Sequence, residues 1–328
     1  MPMTNQKILI TGGTGYLATA VLRLLKDVRC EIVRLGRPGA RFPPVEGAAA
    51  RISDISGDIA DPGLWERVLE GINIVFHFAA QTSVPVAERE PWADFQINAA
   101  PALHLLETCR RKAWRPAVLF SSSVTVIGIP QSLPVNEGHP AEPITVYDLH
   151  KLMAEGYVKY YARRGIVSGA VLRLANVYGP GPRSGSPDRG ILNRMVERAV
   201  GGQALTVYGS GEQIRDYVYI DDAARAFIDA AQNIERISGR HFVIGSGKGH
   251  TIAEAVTLIS ERAALKTGLR AAVTYVDPPQ PAAPIEMRNF VADTSAFCQA
   301  TGWQPRMSFP DGLDQTIEYC LRGERSAL

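Results

Sequence analysis

Short apolar runs alternate with segments of helical periodicity through the first half of the chain. The apolar runs predict buried strands, and the periodic segments predict helices. Strands that are apolar at nearly every position are typical of a parallel sheet whose two faces are both covered. The pattern therefore predicts an α/β fold with a doubly wound parallel sheet and right-handed crossovers. The predicted strands are 7–11, 31–35, 72–78, 117–121 and 169–174, and the predicted helices are 17–26, 92–111 and 147–164.

The pattern changes after Asn176. Residues 179–187 are rich in Gly, Pro and Ser, which predicts a long loop. Helices are expected beyond it, separated by short strands, near 189–200, 221–232, 251–265 and 310–322. This organisation predicts a doubly wound domain over 1–178 and a smaller α/β lobe over 179–328, with some segments of the lobe returning to the first domain. A cleft is expected between them, at the carboxyl ends of the strands.

Composition narrows the class of protein. The 328 residues are 46% hydrophobic and carry 35 basic and 33 acidic side chains, for a net charge of +2. The basic residues are not gathered into runs or stripes, so no nucleic-acid partner is expected. No apolar stretch approaches the ~20 residues that cross a bilayer, and no secretory signal precedes the first strand, so a cytoplasmic protein without a membrane partner is expected. The four cysteines and six histidines lack metal-ligand spacing, so no metal site is expected.

A glycine-rich turn joins the first predicted strand to the first predicted helix. Its spacing is Gly12-x-x-Gly15-x-x-Ala18. Gly12 permits the tight turn, Gly15 lets the backbone approach a pyrophosphate, and Ala18 allows close packing of the helix on the strand. The diphosphate then rests on the helix N-terminus. The turn therefore predicts a dinucleotide-binding domain in which the cofactor contacts Gly12, Thr14, Gly15, Tyr16 and Leu17.

The end of the second predicted strand bears on which dinucleotide is bound. A carboxylate there binds the ribose 2′-hydroxyl of NAD, whereas an arginine accommodates the 2′-phosphate of NADP. The chain has Gly36 at this place, followed by Arg37, with no acidic residue over 32–45. The sequence therefore favours NADP(H) over NAD(H), unless Arg37 is only a solvated turn residue. Asp58 and Ile59 are expected beside the adenine. In an alternative interpretation, Asp58 is instead the N-cap of the helix that starts at Pro62.

Tyr147 and Lys151 are one helical turn apart, so both side chains lie on the same helix face. The preceding strand ends in a serine run that includes Ser121 and Ser123, at the edge where the nicotinamide is expected. A free tyrosine, with a pKa near ~10, is too protonated to act as a base at neutral pH, and a cation ~4 Å away lowers that pKa by up to ~3 units. The set predicts hydride chemistry in which Tyr147 moves the proton, Lys151 activates it and Ser123 holds the same substrate oxygen.

These residues resemble the signature of the short-chain dehydrogenase/reductase superfamily. The chain length, the TGxxGxxA turn and the second lobe resemble its extended branch, the nucleotide-sugar epimerases, dehydratases and reductases, over essentially the whole chain. The resemblance implies a Rossmann domain over 1–178 that binds the dinucleotide and a lobe over 179–328 that mainly binds the nucleotide sugar. It also implies a homodimer whose four-helix interface uses the helices 92–111 and 147–164.

The resemblance assigns further residues to the cleft. Residues 215–222 resemble the family's nucleotide-binding stretch, in which Arg215 pairs with a phosphate. Asn176 is the implied donor in the segment that touches the nicotinamide and the substrate diphosphate. The remaining expected cofactor neighbours are Phe78, Ala79, Ala80, Ser121, Tyr147, Lys151 and Leu174. The remaining expected substrate neighbours are Gln81, Ser83, Ser123, Asn193, Tyr208 and Glu286.

Two reactions stay open on this resemblance. In the favoured one, NADPH delivers hydride to a 4-keto-6-deoxy sugar nucleotide and Tyr147 protonates the new alkoxide. The segments around Arg37, 188–190 and 243–247 resemble those of such 4-ketoreductases. In the alternative, bound NAD oxidises C4 and the hydride returns to the opposite face, as in a 4-epimerase.

Two other functions are disfavoured. The 4,6-dehydratases of this branch carry Asp-Glu directly after the hydroxyl residue, and this chain has Val124 and Thr125 there. A non-catalytic dinucleotide sensor would have no use for Ser123, Tyr147 and Lys151 together. The sequence therefore predicts an NAD(P)-dependent enzyme acting on a nucleotide sugar.

Overall fold

A seven-stranded parallel sheet lies at the centre of the computed structural model, which describes residues 2–182, 190–278 and 283–323. The strands in chain order are β1 (Lys7–Thr11), β2 (Glu31–Gly36), β3 (Arg51–Ser56), β4 (Ile74–His77), β5 (Ala117–Ser123), β6 (Ser168–Leu174), β7 (Asn176–Tyr178), β8 (Leu205–Tyr208), β9 (Ile214–Tyr219), β10 (His241–Ile244), β11 (Gly249–Thr251) and β12 (Val273–Val276). The central sheet has the spatial order β10–β6–β5–β4–β1–β2–β3, and every neighbouring pair in it is parallel. The predicted doubly wound α/β fold is confirmed.

Helices cover both faces of this sheet and build much of the second half of the chain. In chain order they are α1 (Tyr16–Leu25), α2 (Pro62–Val68), α3 (Val84–Arg89), α4 (Pro91–Asn98), α5 (Ala100–Lys112), α6 (Val146–Arg163), α7 (Ile191–Val200), α8 (Ile220–Gln232), α9 (Ile234–Ile237), α10 (Ile252–Thr267), α11 (Ser295–Thr301) and α12 (Phe309–Leu321). Short 3-10 helices span Val124–Ile127 and Pro284–Met287.

Alternate residues of the central strands enter two separate apolar cores, one on each face of the sheet. In β1, Ile8 and Ile10 belong to the core that includes α1 and α8. Leu9 belongs to the core on the other face, together with residues of α2, α5 and α6. Because both faces of the strand are buried, apolar residues occupy successive positions, and the strand reads as a continuous apolar run.

The predicted helix over 92–111 is two helices in the structure, α4 and α5. The chain bends at Ala99, and Pro101 lies in the first turn of α5. A proline is tolerated there because the N–H groups of a first turn have no partner within the helix. Within a continuous helix, Pro101 would leave one backbone carbonyl without its hydrogen bond. The hydrophobic periodicity therefore continues across the break between α4 and α5, which the proline indicates.

Asp58 and Ile59 lie in the turn between β3 and α2. The Asp58 carboxylate accepts a hydrogen bond from the backbone N–H two residues later (3.0 Å), and the Ile59 carbonyl accepts one from the Trp65 indole (3.0 Å). The N-cap of α2 is Asp61, whose carboxylate accepts from the Gly63 N–H at 2.9 Å. Asp58 is therefore not the cap of this helix, contrary to the alternative considered for it.

The second half of the chain contributes to both parts of the molecule. Strand β10 pairs with β6 and extends the central sheet, and α8 packs against α1. Strand β9 pairs with β7 and β11 in a three-stranded sheet, and β8 pairs with β12 in a two-stranded one. Helices α7, α10 and α12 pack against one another beside these small sheets. The central sheet is thus completed by a strand from beyond residue 179.

The described residues carry neither a membrane span nor a metal cluster. No helix among them is long and apolar enough to cross a bilayer. No group of three or more His, Cys, Asp or Glu side chains among them is placed to hold a metal ion. The four cysteines are free thiols.

Candidate active site

The carboxyl ends of β1, β4, β5 and β6 meet at one edge of the central sheet. Thr11, the last residue of β1, joins two of these ends, because its hydroxyl accepts hydrogen bonds from the backbone N–H groups of Phe78 (3.1 Å) and Ala79 (3.0 Å). The same hydroxyl bonds to Nδ1 of the buried His77 at 2.9 Å. The glycine turn after β1 is therefore fixed to the end of β4. The other predicted cofactor neighbours at this edge are Ala80, Ser121 and Leu174.

The glycine turn leaves no room for a side chain at Gly12 or Gly13. A Cβ on Gly12 would lie 3.0 Å from the Ala79 backbone, and the φ of Gly12 is +66°, which favours glycine. A Cβ on Gly13 would lie 2.7 Å from Cβ of Arg34. Gly15 is the exposed N-cap of α1, whose first turn has neither a side-chain cap nor an acid, so its N–H groups are available to an anion. Thr14, Tyr16 and Leu17 are half-buried around this turn.

The end of β2 is closed by the loop that follows it. A Cβ on Gly36 would lie 2.7 Å from the Phe42 ring, so a larger residue here would displace the loop. Arg34, two residues earlier, is buried and forms a two-point ion pair with Asp54 of β3, at 2.6 and 2.8 Å. Arg37 is exposed to solvent. The charge of Arg34 is therefore neutralised within the protein, whereas Arg37 stays accessible.

Ser123 ends β5, and its hydroxyl is held by Thr125. Its Oγ accepts hydrogen bonds from the Thr125 backbone N–H at 3.2 Å and from the Thr125 hydroxyl at 2.8 Å. These bonds make Ser123 the cap of the 3-10 helix that follows. Because both bonds use Oγ as the acceptor, the Ser123 hydrogen stays available for another oxygen.

Lys151 is buried on α6, beside the end of β5. Its ammonium donates to the Ser121 carbonyl at 2.9 Å and lies 4.7 Å from the centroid of the Phe120 ring. Burial lowers the pKa of Lys151 to about 8, and the carboxylates of Asp94 and Glu155 oppose this shift. Lys151 is therefore a cation at neutral pH, although its side chain is buried.

Tyr147 lies one turn before Lys151 and is also buried. The N-cap of α6 is Thr145, whose hydroxyl accepts from the Asp148 N–H (3.2 Å) and donates to the Asp148 carboxylate (2.6 Å). This cap fixes the first turn of α6 and hence the place of Tyr147. The second oxygen of the Asp148 carboxylate is buried and has no hydrogen-bond partner within 3.5 Å among the described residues, and burial raises the pKa of this group.

A buried polar network that the sequence did not reveal lies behind the α6 lysine. Its centre is Asp94 of α4, which is 1% exposed. One oxygen of Asp94 accepts from the amides of Gln81 and Asn98, both at 2.8 Å, and the other lies 2.7 Å from Nδ1 of His150. The Gln81 amide also donates to the carbonyl of Ser83, whose own hydroxyl caps α3. Gln81 and Ser83, both expected beside the substrate, are thus part of this network.

Two buried arginines lie together in the second half of the chain. Arg215 donates to the backbone carbonyls of Glu286 and Arg288, and Arg288 donates to the Ile285 carbonyl at 2.7 Å. Neither arginine forms an ion pair with a carboxylate in the part of the chain that the structure describes, and Nε of Arg288 has no partner there. Burial and the neighbouring Arg215 lower the pKa of Arg288 to about 10, and the carboxylates of Asp148 and Glu286 oppose this shift. Desolvated guanidinium groups with spare donors match an anion with several oxygens.

Tyr16 joins the glycine turn to the second half of the chain. Its hydroxyl donates to the Gly179 carbonyl at 2.6 Å and accepts from the Asn193 amide at 3.1 Å. Asn193 in turn donates to the Gly179 carbonyl at 2.9 Å and accepts from the Gly179 N–H at 3.1 Å. Asn193, expected beside the substrate, therefore fastens this segment to the cofactor turn.

The remaining predicted positions are spread along the chain. Asn176 is half-buried at the start of β7, and Tyr208 is exposed at the end of β8. Glu286 is exposed, and its carbonyl rather than its carboxylate meets an arginine. In the segment 243–247, two backbone N–H groups bond to the buried Asp216 carboxylate at 2.7 and 3.0 Å. Residues 188 and 189 of the segment 188–190 lie outside the described residues.

The chain is similar to known proteins over nearly its whole length. Residues 8–245 match the model of the family described as NAD dependent epimerase/dehydratase. The UDP-glucose 4-epimerase of Azospirillum brasilense is 30% identical, over 99% of this chain and 95% of its own. The crystal structure of the UDP-glucose 4-epimerase of Thermotoga maritima with UDP-glucose is 30% identical, with a TM-score of 0.84 over 97% of this chain and 99% of its own. The NAD complex of the Thermus thermophilus UDP-glucose 4-epimerase is 26% identical, with a TM-score of 0.79 over 97% of this chain and 100% of its own.

Proposed function

Because this chain belongs to the NAD dependent epimerase/dehydratase family, the nucleotide-sugar branch of the extended short-chain dehydrogenases/reductases, we propose that it interconverts the C4 epimers of a UDP-activated hexose. The observation that carries the proposal is one sheet edge that holds Ser123, Tyr147 and Lys151 next to a glycine turn shaped for a dinucleotide. The similar proteins named UDP-glucose 4-epimerase favour this reaction over the 4-ketoreduction that the sequence favoured.

The side chains of the chain itself move the proton. Tyr147 takes the proton of the sugar 4-hydroxyl in one direction and returns it in the other. Ser123 donates a hydrogen bond to the same oxygen, since its Oγ already accepts both bonds from Thr125. The Lys151 ammonium stabilises negative charge on Tyr147. When bound, the dinucleotide supplies the acceptor and donor of the C4 hydride.

Inversion at C4 requires the oxidised sugar to turn over before hydride returns. We assign the substrate diphosphate to Arg215 and Arg288, whose guanidinium groups are buried without carboxylate partners among the described residues. A substrate held at its diphosphate can turn its sugar without leaving the protein. Arg215 was expected in this role from the sequence, and we add Arg288 because Arg215 donates to its carbonyl.

We assign NAD to the glycine turn. The exposed Gly15 and the uncapped, acid-free start of α1 fit its diphosphate. The sequence favours NADP because no acid stands at Gly36 and Arg37 follows it, but the Thermus thermophilus relative carries NAD. An epimerase restores its cofactor in every cycle, so the cofactor can stay bound.

We also propose a homodimer formed through α4 and α6. Trp92 of α4 is 69% exposed, and Leu149 and Tyr160 of α6 are 48% and 56% exposed. Leu149 and Tyr160 are about three helical turns apart and therefore lie on one face of α6. Sedimentation equilibrium should give twice the chain mass of 35.6 kDa. A monomer mass at micromolar protein concentration would rule this interface out.

The function is tested with the purified protein and no added cofactor. UDP-galactose and UDP-glucose are incubated separately, the products are separated by chromatography, and the cofactor is identified by mass spectrometry after denaturation. We expect stoichiometric NAD and the same final mixture from either sugar. Cofactor-free protein that oxidises NADPH only with a 4-keto sugar nucleotide would replace the epimerase by a 4-ketoreductase. Bound dinucleotide with no turnover of any nucleotide sugar would favour the sensor.

A further inference from the structure

Asp94 is a buried carboxylate that the mechanism above does not use. It lies on α4, and its 2.7 Å contact with His150 places it against the residue that precedes Lys151. Its other oxygen accepts from the two side-chain amides of Gln81 and Asn98. These three contacts hold the carboxylate in one orientation, although no spacing in the sequence marks it.

The α6 lysine needs a negative charge close by. Its own contacts are the Ser121 carbonyl and the Phe120 ring, and neither carries a net charge. A buried cation without a counter-charge is strongly destabilised, so a carboxylate must balance it. Asp94 and Glu155 are the carboxylates that act on Lys151.

Glu155 is already matched by another cation. The Arg173 guanidinium donates to it at 2.8 and 3.0 Å, Lys159 lies 3.6 Å away, and the Ser122 hydroxyl donates at 2.6 Å. The partners of Asp94 are two amides and an imidazole, none of which is a permanent cation. The charge of Asp94 is therefore the one left to balance the lysine.

We propose that Asp94 is a positioning residue for the reaction: its carboxylate, oriented by His150, keeps the Lys151 ammonium charged and in place beside Tyr147. The proposal rests on the proposed function only in taking Lys151 as the cation that assists Tyr147. It adds Asp94 and His150, which come from two different helices, to the machinery of this chain.

The other groups that face the lysine do not replace Asp94. His77 of β4 has its pKa lowered to about 3 by burial and by Lys151, so it adds no charge near neutral pH. Tyr147, His150 and Glu155 come from α6 itself. Lys151 loses its proton as the pH rises through about 8, so turnover is expected to fall on that alkaline side. Loss of the Asp94 charge moves this alkaline limb to lower pH.

The test is Asp94→Asn, read by NMR of lysines labelled with ¹³C at Cε. The asparagine oxygen can still accept from Gln81 and Asn98, so the network keeps its shape. The chain has seven lysines, and the Lys151 signal is the one missing from K151R. We expect the Lys151 titration midpoint to fall by about one pH unit, as for loss of one nearby opposite charge. The Lys159 signal serves as the internal control, and its titration midpoint should not change.

The NMR midpoint needs no substrate, so the two proposals fail separately. A lower midpoint in a protein that epimerises nothing would keep the role of Asp94 and refute the reaction. An unchanged midpoint in D94N overturns the role of Asp94, even where turnover falls. If D94N does not fold, D94S removes the same charge with a smaller side chain and is judged in the same way.

The matched control is His150→Asn, which keeps an N–H donor beside Asp94 and leaves its carboxylate in place. The Lys151 midpoint should stay where it is in the wild type. A fall as large as that in D94N, with the Asp94 carboxylate still present, would show that disturbed packing around α6 rather than loss of the Asp94 charge lowers the midpoint, and would overturn the assignment to Asp94.

Discussion

Two buried cationic regions of this molecule are balanced in different ways. Lys151 makes no ion pair among the described residues, but the buried carboxylates of Asp94 and Glu155 raise its pKa against the effect of burial. Arg215 and Arg288 are held by backbone carbonyls and have no ion-pair partner within the residues described. The lysine therefore has two buried carboxylates near it, whereas Arg288 is influenced by Asp148 and by the exposed Glu286, and on our proposal the substrate diphosphate completes the arginine region. On this proposal, folding completes the first region and ligand binding completes the second.

The largest effect is expected in the lysine region, from Tyr147, to which we assign the proton transfer. Tyr147→Phe should lower kcat by about 10²–10⁴-fold, the range typical for loss of a general acid–base group. The NAD content should stay near one per chain, because the glycine turn is untouched. Turnover is measured with UDP-galactose, and cofactor content by mass spectrometry. Turnover close to wild type would show that Tyr147 is not the acid–base group. The lysine region would then not be the catalytic one, and the contrast between the two regions would fail.

A smaller effect is expected from the arginine region. Arg288→Leu should raise KM for the UDP-sugar by about 10–100-fold with little change in kcat, since a charge-assisted hydrogen bond contributes about 1.5–3 kcal/mol. UDP should lose affinity as an inhibitor, whereas uridine should not. Arg198→Leu is the matched control, because Arg198 is an exposed arginine that also donates to a backbone carbonyl. A fall in kcat with KM unchanged would assign Arg288 to the chemistry instead.

The third expected effect is on stability. UDP at about 100 times its Kd should raise the free energy of unfolding by ~2.7 kcal/mol, because it binds only the folded arginine region. Thermal unfolding of the NAD-bound protein, with and without UDP at fixed protein concentration, measures this rise in Tm. At the same UDP concentration the rise should be smaller in Arg288→Leu. Equal rises in the two proteins would show that the diphosphate binds elsewhere.

The features predicted correctly from the sequence are those that neighbouring residues determine. The strands were recognisable because burial on both faces makes a continuous apolar run, as around Leu9. The glycine turn and the pair Tyr147 and Lys151 are local spacings, and their proposed roles stay predictions. The helix over 92–111 was wrong because its periodicity continues across the break at Ala99.

The features that were missed join residues far apart in the chain. Asp94 meets His150 across 56 residues, and Arg215 meets the Arg288 carbonyl across 73. Nothing in either neighbourhood marks these partners before the fold is known. The preference for NADP was inferred from two neighbouring residues, Gly36 and the exposed Arg37, whereas the Thermus thermophilus relative carries NAD.

The link through Tyr16 also restricts how this sequence can vary. A Cβ on Gly181 would lie 2.5 Å from two carbons of the Tyr16 ring, and one on Gly179 would lie 2.6 Å from Ile220. A side chain at position 181 therefore requires a smaller residue at position 16. Loss of the Tyr16 hydroxyl would also take one partner from Asn193. We therefore expect substitutions at four positions to be coupled, so that a change at one limits what the others can be. These positions, which lie in both halves of the chain, are 16, 179, 181 and 193.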